Sequence, residues 1–171
     1  MNPGVIIGPG WHILGWAQVT PVLDPSVRNL CVRPYAGHPH GCPNHGRRAT
    51  CPPSAPALDD LISLAEPVYA AWHSFDLAGH VTRLRAKHPQ WSERQLYCCL
   101  YWQGTARRCH RMLVRDLIRR HLTSYLPIYC PEGCGVNVTA TMATLGVNLE
   151  WPPRTVAYQV AFLGQPVRGE P

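Results

Sequence analysis

Residues 41–53 read GCPNHGRRATCPP. Cys42 and Cys51 are each followed directly by proline, and between them lie His45, Gly46, Arg47 and Arg48. Proline stiffens the backbone at both cysteines. Working outward, residues 31–56 hold three cysteines, three histidines and six prolines, with almost no helical or strand periodicity. A loop of this length inside a compact domain is functional or held by something. A disulfide, a zinc knuckle or one edge of an iron–sulfur site would each hold it.

The flanking sequence reads as alternating strands and helices. Trp11 to Val19 reads as a strand, followed by the turn PVLDPS. Residues 57–65 read as a helix with acidic residues in its first turn, and Val68 to Phe75 as a strand. Asp76 or Ser74 caps a short helix ended by Pro89. Ser92 and Gln95 form a capping-box pattern that opens the longest helix, about Glu93 to His121. SYLPIYC reads as a short buried strand, Val136 to Leu145 as a helix stopping at Gly146, and TVAYQVAFLG as the last strand. The expected fold is α/β: one layered domain over residues 1–171 with a small mixed sheet, one long helix and a cysteine-rich metal-binding loop at 31–56. Residues 164–171 read as a flexible tail.

At 171 residues the chain is long enough for one domain with a real core, without disulfides to hold it. No apolar run approaches the length of a membrane span, and MNPGVIIGPGWHILGW lacks the basic leader of a secretory signal. The expected setting is therefore the cytoplasm, where clustered cysteines are metal ligands or reactive thiols more often than disulfides. The formal charge is +6, with Lys87 the only lysine. That balance fits an anionic small molecule or RNA as partner, and equally an arginine-rich codon bias.

The eight cysteines sort by position. Cys98, Cys99 and Cys109 fall in the expected long helix. Cys98 and Cys109 would lie about 16 Å apart along its axis, too far to ligate one centre. Cys98 and Cys99 read as small buried hydrophobes beside Leu96 and Leu100, whereas Arg107, Arg108 and Arg111 around Cys109 favour a thiolate. Cys31, Cys42, Cys51, Cys130 and Cys134 sit in irregular segments, and thiolates in that number suit iron–sulfur or zinc. The first three are separated by ten and eight residues, unlike paired zinc knuckles. Cys130-x₃-Cys134 would begin a C-x₃-C-x₂-C pattern, but position 137 is Asn. His38, His40 and His45 keep a Cys₃His zinc site open. Spacing alone leaves iron–sulfur and zinc level.

With Cys31 ahead of it, GCPNHGRRATCPP resembles the C-P-x-Y-G-x-x-x-x-C-P-P signature of a predicted metal-binding protein family, domain of unknown function 2284. Cys42, Pro43, Gly46, Cys51, Pro52 and Pro53 fit, and His45 replaces the tyrosine. YWQGTARRCHRML is similar to a Gln-and-basic helix of that family. CPEGCGVNVTATMATLGVNLEWPP is similar to its E-x-x-G-[IV]-[DN]-V segment through Glu132, Gly135, Val136, Asn137 and Val138. The resemblance implies a cysteine-ligated metal, as an iron–sulfur cluster, and a cytoplasmic setting.

The functional expectation has two forms. In the first, Cys31, Cys42 and Cys51, with Cys130 or Cys134, hold a [4Fe-4S] cluster used for Lewis-acid, sulfur-transfer or redox chemistry on an anionic substrate. Gln103, Arg107, Arg108 and Arg111 are the candidate anion-binding residues. In the second, zinc stabilises an Arg-rich module that binds nucleic acid or a protein partner without catalysis. The cationic row Arg108, Arg111, Arg115 and Arg119 reads equally as a solvated helix face. Walker A, G-x-S-x-G, H-E-x-x-H and G-x-G-x-x-G signatures do not occur, so the common nucleotide, hydrolase and metalloprotease readings lack support.

Overall fold

Residues 4–7, 13–34 and 39–167 are described by the structure, a computed structural model. Five strands form one sheet: β1 (Gly4–Ile7), β2 (Ile13–Gln18), β3 (Tyr69–Asp76), β4 (Leu126–Ile128) and β5 (Val156–Gly164). Their order is β1-β2-β3-β5-β4. The single α/β domain is there, but its sheet is antiparallel throughout rather than mixed. β3 and β4 run in the same direction, but β5 lies between them and pairs antiparallel with both, so no parallel pair forms among the described residues. β1 was not anticipated, and Trp11, where the first expected strand began, lies outside the described residues.

Alternation along the central strands explains the two faces. Leu14, Tyr69, Ala71, Ala161 and Leu163 form a buried cluster with Leu113, Val114 and Leu117. Those two leucines and the valine belong to the helix α4 (Gln103–His121), whose buried residues Ala106, His110, Leu113, Val114 and Leu117 recur every three to four positions. Ala70 and Phe162 belong to the opposite cluster, with Leu58, Ile62, Ile128, Val136, Val138, Met142 and Cys134. This second face is roofed by α1 (Leu58–Leu61), α5 (Val138–Ala143) and irregular chain.

Local capping follows the sequence closely. Asp76 accepts from the Gly79 N–H at 2.8 Å to start α2 (Leu77–Lys87). Ser92 and Gln95 close a capping box on α3 (Glu93–Leu96). The helix at 57–65 is shorter than expected, because Ile62 leaves it to form a β-bridge with Pro166. The same bridge, with Ser63 N–H to Gln165 O at 2.8 Å and Val167 N–H to Leu61 O at 3.1 Å, ties down residues 165–167 of the expected flexible tail. Residues 168–171 lie outside the described residues.

The long helix expected over 93–121 is broken. A 3₁₀ turn, Cys99–Tyr101, separates α3 from α4. In a continuous helix Leu96 and Trp102 would point about 120° apart, yet both are buried in one cluster with Leu77, Val81 and Ala157. Trp102 also stacks on Phe75 at 5.6 Å. Burying both large side chains requires the break. The expectation for Cys98 and Cys99 changes with it: Cys98 is half-buried, Cys99 is exposed and Leu100 is 85% exposed. Cys99 is therefore a surface thiol and no core residue.

Three polar residues, His73, His110 and Thr141, are buried among the described residues. His110 is buried on α4, with Nε2 3.2 Å from the Ala71 carbonyl oxygen and its ring edge-on to Tyr129. Burial pushes its pKa from 6.5 down to about 4, with His73 and Arg111 adding to the fall and the Ala71 bond opposing it. The folded protein thus binds a proton here less readily than the unfolded chain. This contribution is full above pH 6.5 and is lost as pH falls towards 4. Urea unfolding at pH 7 and pH 4 should show acid destabilisation that exceeds that of His110→Gln by roughly 3 kcal/mol.

Candidate metal centre

The cysteine-rich loop is held by backbone bonds and one arginine. Residues Pro25–Val32 form a 3₁₀ helix, started by Asp24 and ending with Cys31 near its last turn. The Cys42 N–H donates to the Cys31 carbonyl at 2.7 Å. Gly41, between them in space, has φ +79, and a Cβ there would lie 2.5 Å from that same oxygen. Tight turns follow: His45 N–H to Cys42 O at 3.1 Å, Cys51 N–H to Arg48 O at 3.0 Å and Gly46 N–H to Pro52 O at 2.8 Å. Arg28 closes the loop by donating from Nη2 to the Pro53 and Ala55 carbonyls at 2.9 and 2.7 Å.

The second cysteine segment leaves the sheet just after β4. Gly133 donates to Cys130 O and Cys134 to Pro131 O, each at 3.0 Å, so residues 130–136 coil through consecutive turns. They are woven into the first half of the chain: Leu58 N–H donates to Cys134 O at 3.1 Å, and Asp24 N–H to Gly135 O at 2.8 Å. A Cβ on Gly133 would lie 2.8 Å from the Thr50 oxygen, which places this turn directly against the Cys51 turn. The helix expected over Val136 to Leu145 begins instead at Val138, behind an Asn137 cap that accepts from the Ala140 N–H at 3.0 Å. The amides of Cys134 and Gly135 serve the turn.

These contacts bring the predicted cysteines into one neighbourhood. Burial raises the Cys31 thiol pKa, and Cys42, Cys51 and Glu132 raise it further against the pull of Arg28. Although Cys130 is exposed as a residue, loss of solvent around its thiol pushes the pKa up to about 11. Glu132, Cys51 and Cys134 add to that rise, and Arg107 opposes it. Cys134 is buried in the apolar cluster beneath the sheet; burial raises its pKa and Arg28 resists. Glu132, named in the sequence only as part of a motif, therefore acts electrostatically on Cys31, Cys130 and Cys134. Its own carboxyl is raised by desolvation, while part of the residue stays exposed. Its place between two cysteines was the available signal.

Other candidates lie apart or differ in role. His40 is exposed and His45 half-buried; His38 lies outside the described residues. Cys109 is half-buried on α4. Arg107, Arg108 and Arg111 share a shallow groove with Arg48 and Arg115, whereas Gln103 does not line it. Among the described residues, no three His, Cys, Asp or Glu side chains are drawn close enough to hold a metal ion as they stand, and no disulfide joins the eight cysteines. Among the described residues, no helix is long and apolar enough to cross a membrane. No family model, curated protein or solved structure matches the chain.

The contact between the two cysteine turns can be tested directly. Gly133→Ala should push a methyl into the Thr50 carbonyl and lower stability by about 1–3 kcal/mol in urea titrations. Gly104→Ala, in the first turn of α4 with nothing within 4 Å of its Cβ, should be neutral or stabilising by up to ~1 kcal/mol.

Proposed function

We propose that this chain is a cytoplasmic metal-binding protein that holds an iron–sulfur cluster, a [4Fe-4S] centre, through Cys31, Cys42, Cys51 and Cys130. The observation that carries the reading is the packing of the cysteine turns, with the Cys42 N–H on the Cys31 carbonyl at 2.7 Å and Gly133 set against the Thr50 carbonyl beside Cys51; desolvation, and after it neighbouring thiols, raises Cys31 and Cys130. Thiolates crowded in this way repel one another, and soft cations are what such groups bind. Cys130 is preferred over Cys134 because Cys51 acts on it, while Cys134 packs among Leu58, Val136 and Phe162. Cys134 is the spare sulfur.

A bound cluster supplies Lewis-acid, sulfur-transfer or electron-transfer chemistry. Arg28 keeps the loop closed and offsets negative charge at Cys31 and Cys134. Arg107, whose charge reaches Cys130, is a cation placed to meet an anionic substrate there. Glu132, whose carboxyl pKa is raised by desolvation, is the carboxyl group that acts on these thiols.

The test is anaerobic purification followed by a visible spectrum and by iron, zinc and acid-labile sulfide content. Iron and sulfide together are expected, and Ser variants of Cys31, Cys42, Cys51 or Cys130 should each lose most of both. Cys134→Ser should retain the metal and lose stability, and Cys98→Ser with Cys99→Ser should leave metal content unchanged. Colourless protein with zinc and no sulfide would favour the zinc-stabilised, non-catalytic module. No bound metal after reconstitution would overturn both readings.

A further inference from the structure

The outer face of α4 carries a second feature that a metal centre does not require. A shallow groove of about 880 Å³ runs along it, lined by Arg48, Arg107, Arg108, Arg111, Arg115, Arg119 and Arg120. The one carboxylate in the lining, Asp116, is bonded to Arg119 and Arg120 at 2.6 and 2.8 Å. The other five arginines make no ion pair among the described residues. The Arg111 guanidinium lies over the Tyr129 ring, 5.4 Å from its centroid, while the residue lines the groove. Arg48 arrives from the cysteine loop, so the lining is drawn from two segments. A solvated helix face would not recruit it.

The length of the row selects the ligand. Arg107 to Arg119 spans about 18 Å of helix axis, with guanidinium groups on successive turns. A single phosphate or a short polyphosphate can engage only two or three of them at once. A polymer with regularly spaced phosphates can engage all of them. Arginine on phosphate gives charge-assisted, bidentate bonds, and among the described residues no aromatic side chain lines the groove to stack a base. We propose that this groove binds the sugar–phosphate backbone of a nucleic acid, without base readout. The proposal does not depend on the metal reading.

Fluorescence anisotropy with a labelled single-stranded RNA and a duplex DNA of mixed sequence tests it, using the full chain with and without its metal. At low salt we expect binding of at least one of the two, weakening with salt. Five unpaired arginines on a single strand set a limiting log–log slope of about −3.5. Arg108→Gln with Arg115→Gln should make that slope shallower by about 1.4 and weaken binding, with the circular dichroism spectrum unchanged. Arg83→Gln with Arg94→Gln, the same loss of charge on α2 and α3 away from the groove, should change affinity little. Equal loss in both double variants would reduce the effect to net charge and overturn the site. The proposal also fails if neither nucleic acid binds at low salt. Full competition by inorganic tripolyphosphate at matched phosphate concentration, or binding only to phosphatidylserine vesicles, would overturn it too.

Discussion

One guanidinium holds the candidate centre in shape. Arg28 leaves a 3₁₀ helix near the start of the chain and bonds two carbonyls of the Cys51 loop. Its Cδ is 4.0 Å from where a Gly135 Cβ would stand. Burial raises the pKa of both Cys31 and Cys134, and the Arg28 charge opposes that rise. A proline-rich loop buries too little apolar surface to fix itself. The bonds from a cation to neutral carbonyls are stronger than ordinary ones, and here they do what a hydrophobic core does elsewhere.

Around that clamp the sheet acts as a rigid partition. On one face α4 packs its apolar stripe and turns its arginines outward; on the other, the two cysteine turns share a roof with α1 and α5. The short strand β4 joins the two sides, because it runs into Tyr129, which supports Arg111, and then into Cys130. The metal candidates and the cationic groove are therefore neighbours, connected by two residues of chain and by Arg107.

Much of this was legible locally and little of it globally. β3, α2 with its Asp76 cap, the Ser92–Gln95 box and β5 are written in short-range patterns, and each formed. That five of the cysteines lie in irregular segments was legible from the sequence alone. The break between α3 and α4 was not, because it is imposed by Trp102 and Leu96 packing into a cluster built from distant residues. β1 was hidden because the apolar run GVII, set among Gly and Pro, gains its strand character only from pairing with β2. Arg28 carried no signal, since its partners lie 25 and 27 residues away and no periodicity marks a bond from a side chain to a remote carbonyl.

The weave that joins residues 22–24 to residues 135–141 has a consequence for the order of events in a cell. The Val22 N–H is bonded to the Thr141 hydroxyl across 119 positions, and the Asp24 and Leu58 amides likewise wait for the second cysteine segment. A chain emerging from the ribosome exposes Cys31, Cys42 and Cys51 long before Cys130 exists. Contacts of such long range form late and at a high entropic cost. During synthesis the first three thiols stand without the turn that will shelter them, open to stray metal and to oxidation. Joining the two cysteine turns is thus an event that waits until residue 141 has left the ribosome.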